Sequence, residues 1–197
     1  WYLKTANFSE RVLNVFAAVD FAYTTNKLSD YTTVVTIGVD IDNNRYILDI
    51  DRIQTERLSI VGDLVFNVYN KWRFFKIKVE TTAAQAWAAT HLRDQMRQKN
   101  VFFNIEEFKP QLKKQERIVG TLEPLYRNNQ IFHYRGGNCE LLEQELVMAH
   151  PPHDDIADAL ASANEAAFRP SVEKIGSDGN GTIIKFHPKY GGVDRVA

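Results

Sequence analysis

A chain of 197 residues, 44% apolar and 25% charged, has the balance of one folded domain with appendages, and it contains no apolar run near the roughly 20 residues that span a bilayer. Its single cysteine, Cys139, excludes an internal disulfide and a cysteine-based zinc site, and points to a reducing, intracellular setting. The formal net charge of −1 excludes binding to nucleic acid through overall charge, so any such binding has to come from a local concentration of basic residues.

In chain order, Arg11–Asp20 is nearly continuous in apolar residues from Leu13 on, and predicts a central strand covered on both faces. After a polar loop from Tyr23 to Asp30, YTTVVTIGVD is a β-branched run. Asp42-Asn43-Asn44 supplies a turn and RYILDIDRI pairs back, so the first three strands form an antiparallel meander. Leu58, Val61, Val65, Val68 and Tyr69 lie near helical spacing. Phe74–Val79 predicts a strand that ends at Glu80, Thr82–Lys99 a helix, and Val101–Phe108 a fifth strand. Lys113–Tyr126 is amphipathic and partly helical, Ile131–Tyr134 a short strand, Glu140–Met148 a helix, and Asp155–Phe168 a last helix rich in alanine.

The expected fold class is α/β: a mixed sheet, three antiparallel strands followed by parallel ones, with helices packed on it. Residues 1–170 are expected to form the domain. Residues 171–197 read as a glycine-rich tail, either a hairpin turning at Asp178-Gly179-Asn180-Gly181 or partly disordered. Trp1 stands where a Met would open a primary product, so a fragment or processed chain is expected, and no signal-peptide pattern follows it.

Two carboxylates sit where they cost most. Asp20 ends the most apolar strand, and Glu80 ends FFKIKVE; a charge in such a place needs a pairing group, hydrogen bonds or a cation. Adjacent, parallel first and fourth strands would bring both to one edge of the sheet, the edge where parallel sheets carry functional groups. On a helix, HDDIADALASANEAAF places Ile156, Leu160, Ala163 and Ala167 on one stripe, Asp155 beside it, Asp158 one turn on, and Asp154 nearly opposite. Asp155 is therefore expected to reach the sheet edge, with Asp158 as a close auxiliary and Asp154 as a helix cap or outer group. Which of the three would bind a metal directly stays open. Converging carboxylates repel, and hard divalent ions, Mg²⁺ or Mn²⁺, relieve that repulsion. Two such ions about 4 Å apart would serve phosphodiester hydrolysis. An acidic helix start is also plain dipole chemistry, so the order strand-Asp, strand-Glu, helix-Asp carries the expectation rather than any one residue.

Lys113, Lys114 and Arg117, with Arg127 and Arg135 beyond, form either a strip for backbone phosphates or a solvated helix face. Lys27 is either a phosphate contact near the metals or an ordinary surface lysine. His153 either orients a carboxylate or a metal-bound water, or has no role. Trp72 and Trp87 are expected in the core, and Cys139 is expected to be inert.

Three stretches together resemble the nuclease domain of phage large terminases, within the retroviral-integrase and RNase H superfamily. They are DFAYTTNKLSDYTTVVTIGVD, the strand-borne Glu80 before a small-residue helix start, and ERIVGTLEPLYRNNQIFHYRGG…LLEQELVMAHPPHDDIADALA. The likeness runs from about Asn14 to Phe168, and its last motif is the most specific. It implies an RNase H-like fold and metal-dependent cutting of double-stranded viral DNA during genome packaging. Asp20, Glu80 and Asp155 would be metal ligands and catalytic groups, Asp158 a fourth acid. It further implies Mg²⁺ or Mn²⁺, two ions; a terminase ATPase domain, portal and small terminase as partners; and the cytoplasm of a host cell. RuvC-type resolvases carry a similar D-x-x-D-A-L helix and are the nearest rival; a non-catalytic packaging module is the other. The sequence has no Gly-rich loop followed by Lys-Ser/Thr, so ATP hydrolysis is not expected of this chain.

Overall fold

The computed structural model describes residues 1–2, 12–21, 31–55, 57–81, 86–148, 151–174 and 184–187. β1 (Asn14–Asp20), β2 (Thr32–Val39) and β3 (Arg45–Ile53) pair antiparallel in sequence, as the alternating turn and β-branched signals predict. α1 (Leu58–Trp72) then crosses over to β4 (Lys76–Glu80), which pairs parallel with β1. α2 (Ala86–Lys99) leads to β5 (Asn104–Phe108), parallel to β4. α3 (Lys114–Arg127) precedes β6 (Ile131–Phe132), which pairs parallel with the start of β3, and α4 (Asn138–Val147) and α5 (Asp155–Ala166) follow. The sheet order is β5-β4-β1-β2-β3-β6. β7 (Ser171–Lys174) and β8 (Ile184–His187) pair antiparallel as a separate two-stranded sheet. The turn expected at 178–181 lies outside the described residues. No helix among those described is long and apolar enough to cross a membrane.

One boundary and one helix differ from the expectation. β5 begins at Asn104 rather than Val101, and α3 is helical throughout its length although Pro124 stands inside it. Residues 82–85 lie outside the described part, where the expected second helix was to start.

The period of two along β1 decides which layer each residue serves. Phe16 and Ala18 enter a core with α3, α4 and α5, whereas Ala17 and Val19 enter a second core with α1 and α2. Both faces of the strand are thus covered, which is why its sequence is apolar without alternation. α5 lies across β1, β2 and β4. Its Ala157, Ala159, Ala161, Ala163 and Ala166 are all buried, and their small side chains let the helix backbone approach the sheet. Ile156, fully buried, is one of the larger side chains at this contact. Ile156→Val is expected to cost about 1 kcal/mol, which in a chain of this size lowers the melting temperature by roughly 2–4 °C; a thermal melt followed by circular dichroism measures it.

Candidate active site

The same period of two sends Asp20 to the α5 side of the sheet with Phe16 and Ala18. In β4, Ile77 and Val79 face α1 and α2, so Lys78 and Glu80 face α5; Lys78 accordingly pairs with Glu165 of that helix. The parallel register sets Val19 beside Val79, which makes Asp20 and Glu80 neighbours at the C-terminal edge of the sheet. α5 begins above that edge and brings Asp155 and Asp158 in its first turn. Its N-terminal dipole favours both carboxylates.

Three cations from two other elements enter the cluster. Lys114, at the start of α3, places its ammonium 2.7 Å from Asp154 Oδ1, 3.3 Å from Asp158 Oδ2 and 3.5 Å from Asp20 Oδ2. One turn on, Arg117 donates from Nη2 to Asp158, lies 3.6 Å from Glu80 Oε2, and donates from Nη1 to Ser162 Oγ at 2.5 Å. Its guanidinium stands 5.2 Å from the Phe108 ring centre. Arg52, on β3, lies 3.3 Å from Asp155 Oδ2 and stacks 3.7 Å over the ring of Tyr31. His153 meets that ring edge-on at 5.8 Å.

These cations do not satisfy the acids. Burial pushes Asp20 up to about 7; Lys114 opposes the rise, while Asp158, Asp155 and Glu80 reinforce it. Glu80 and Asp158 are also held above the ordinary carboxylate range, burial again being the first cause. Burial works to lower the Lys114 ammonium, but Asp20, Asp158 and Asp154 outweigh it and drive its pKa upward. Among the described residues, the acids of the cluster outnumber the cations that reach them. Its donors are carboxylate oxygens, the set that suits Mg²⁺ or Mn²⁺. As they stand, no three acidic, imidazole or thiol side chains among the described residues are arranged to hold a metal ion. The Lys114 ammonium occupies the point where three carboxylates, Asp20, Asp154 and Asp158, meet.

The structure changes several expected roles. Asp20, Glu80, Asp155 and Asp158 come together, but Asp158, with its side chain 5% exposed, is the deeper of the helix acids, and Asp155 is 13% exposed. Asp154 occupies the N-cap position of α5 without capping it, because its carboxylate is turned to Lys114. Glu145 of α4 takes over, accepting the Ala157 amide at 2.9 Å. Burial raises this carboxyl to about 7. The basic strip is split: Lys113 is exposed, whereas Lys114 turns inward and Arg117 is buried among the acids, so neither faces outward as a phosphate strip would. Lys27 lies outside the described residues, as does the side chain of Trp87. Trp72 is half-buried and donates to Asp49, and Cys139 is buried.

Arg52 and Glu145 were not anticipated. For Arg117 a signal existed: Lys114, Arg117 and Thr121 follow helical spacing beside Ile118 and Leu122, so they share the inward face of α3. Away from the acids, Tyr126, His133 and Glu143 form a hydrogen-bonded chain on the wall of an apolar groove between α3 and α4. Burial lowers the His133 pKa.

The nuclease of the large terminase from thermophilic phage G20c superposes on this chain with a TM-score of 0.58 at 16% identity, covering 79% of this chain and 82% of that one. The chain has an RNase H-like fold. The large terminase of bacteriophage HK97 gives the same TM-score at 14% identity, with 79% of this chain matched to 40% of the phage protein. The RuvC of Thermus thermophilus matches more loosely, with a TM-score of 0.47 at 17% identity over 76% of this chain and 90% of that one. No protein-family model matches the sequence, and no curated protein matches it. In this RNase H-like frame, the acids occupy the C-terminal edge of β1 and β4 and the first turn of α5.

Proposed function

We propose that the chain is a divalent-metal-dependent endonuclease that cleaves double-stranded DNA, as the nuclease domain of a viral packaging terminase does. The observation that carries this reading is the under-neutralised cluster: carboxylates from β1, β4 and α5, far apart in sequence, meet at one edge, and Asp20 sits near 7 despite the ammonium beside it. An acid cluster fully balanced by its own arginines and lysines would need no ion; among the described residues, this one has fewer cations than carboxylates.

Asp20, Glu80, Asp155 and Asp158 are the residues that would hold the metal. When bound, a hard divalent ion supplies charge for a phosphate oxygen and eases deprotonation of an attacking water. The rest belongs to the protein. Arg117 keeps Asp158 and Glu80 in place, Glu145 holds the first turn of α5, and Arg52, steadied on Tyr31, orients Asp155. Arg52 would also have its Nη2 free for a phosphate oxygen once Asp155 turns to a metal. The exposed Lys113 stands next to Lys114 and would contribute a non-specific backbone contact. The packaging context, a terminase ATPase domain, portal and small terminase as partners, and a host-cell location follow from the same reading.

The test is cleavage of supercoiled plasmid, linear duplex and a four-way junction at equal concentrations in Mn²⁺ or Mg²⁺, beside Glu80→Gln and Asp155→Asn. Cutting of plasmid and linear duplex by the parent alone, abolished by EDTA, is expected. Preference for the junction would move the assignment to a resolvase, and equal cutting by parent and both variants would remove these acids from the chemistry.

A further inference from the structure

The two α3 cations in the cluster are built differently, and the difference bears on how many metal ions the site accepts. Arg117 is locked. Its side chain is 6% exposed, it donates to both Asp158 and Ser162, it approaches Glu80, and it packs beside the Phe108 ring. A planar guanidinium held by a carboxylate, a hydroxyl and an aromatic face is fixed in one position, and releasing it would take from Asp158 and Glu80 the counter-charge that both share. Its Nε is buried there too, with no acceptor among the described residues. Lys114 is held otherwise. Its side chain is 37% exposed, each of its ion pairs among the described residues is to a carboxylate, and its flexible stem can carry the charge into solvent once another cation takes over those carboxylates.

We propose that the cluster has one exchangeable cation position, which Lys114 fills until a single divalent ion displaces it, and that Arg117 permanently occupies the place a second ion would need. This rests on the nuclease reading and deepens it. The fixed guanidinium neutralises Glu80 and Asp158 from one side, so those two acids offer their remaining oxygens to one ion shared with Asp20 and Asp155, not to two. Lys114 keeps the metal-free cluster from repelling itself apart, and in doing so competes with the metal. Binding is therefore weaker than the donor set alone would give. Once displaced, the ammonium remains beside the site on its stem, as a free cation suited to a phosphate oxygen.

The experiment is titration of the metal-stripped chain with MnCl₂ in the absence of nucleic acid, followed by calorimetry and by the electron paramagnetic resonance signal of free Mn²⁺. One ion per chain is expected. Lys114→Ala should still bind one, roughly tenfold or more tightly because its competitor is gone, while Lys114→Arg should stay as weak as the parent. A lysine that merely supported the fold would not tighten metal binding on removal. Arg117→Gln should bind a second ion. If that variant fails to fold by circular dichroism, the parent stoichiometry and the Lys114 variants decide alone. Two ions in the parent, or unchanged or weaker binding in Lys114→Ala, overturns the proposal and leaves the nuclease reading standing. A parent that binds no Mn²⁺ overturns both.

Discussion

Asp20→Asn is expected to lose DNA cleavage by a factor on the order of 10³ and, without metal, to melt at a higher temperature than the parent at pH 8. The two effects share one cause. Asp20 ends a strand covered on both faces, and burial raises its carboxyl to about 7 from an ordinary 3.8. Between those values the folded chain holds a proton that the unfolded chain has lost. Stability then falls as pH rises through this window, and the deficit is complete above it. An amide carries no charge at any of these pH values. At pH 8 the variant should therefore gain on the order of 2–4 kcal/mol, or about 5–10 °C, and at pH 3.5, below both values, it should gain little. Glu80, Asp158 and Glu145 are raised as well, so the parent should also lose stability from pH 5 to pH 8. Saturating Mn²⁺ should reverse the order, because an ion that binds only the folded parent stabilises it by mass action. Melts in EDTA and in Mn²⁺ at the three pH values measure this. An Asn variant that gains no more at pH 8 than at pH 3.5 would refute the stated strain on Asp20.

Arg117→Met should destabilise the fold by about 3–5 kcal/mol, a drop of roughly 10 °C or more. The methionine fills the volume, so the loss measures charge and hydrogen bonding rather than a cavity. It leaves Asp158 and Glu80 facing each other beside Asp20, with Ser162 short of its donor. Adding Asp158→Asn should recover part of the loss, since the variant's penalty is largely an uncompensated buried carboxylate. The coupling between the two sites, read from a double-mutant cycle in urea, should exceed 1 kcal/mol. A single-variant loss below about 1 kcal/mol is what an exposed ion pair would give, and it would contradict the buried contacts of Arg117. Mn²⁺ should narrow the gap, because the ion supplies the charge the arginine no longer does.

How far the site could be read from residues alone differs from one side chain to the next. Asp20 and Glu80 were legible because each ends an apolar strand, where a carboxylate needs a reason. Asp155 and Asp158 were legible through the helix that follows them. Their relative depth was not: the angle of a residue around its own helix says which flank it lies on, whereas the depth of Asp158 depends on α3 closing over that flank. Asp154 was expected either to cap α5 or to stand as an outer group; it does not cap, because Lys114 offers its carboxylate a full charge and Glu145 is near enough to take the amide instead. Lys114 and Arg117 were read as one basic strip, since a run of cations in an amphipathic segment looks alike whether its partner is solvent or a neighbouring helix. Only the inward face that both share with Ile118 and Leu122 marked them off from the exposed Lys113.

From its sequence alone, this chain determines its strands and helices, the antiparallel start of its sheet, and the presence of acids at strand ends and a helix start. These depend on periodicity and on local cost, both of which act within a few residues. Tertiary structure alone decided that β4 lies against β1 in a register that pairs Val19 with Val79, that Arg52 reaches Asp155 across 103 positions, and that two cations of α3 stand among the acids of α5. Contacts between distant segments are set by how whole layers pack, and the electrostatic balance of a buried cluster exists only once every charge that enters it has been placed.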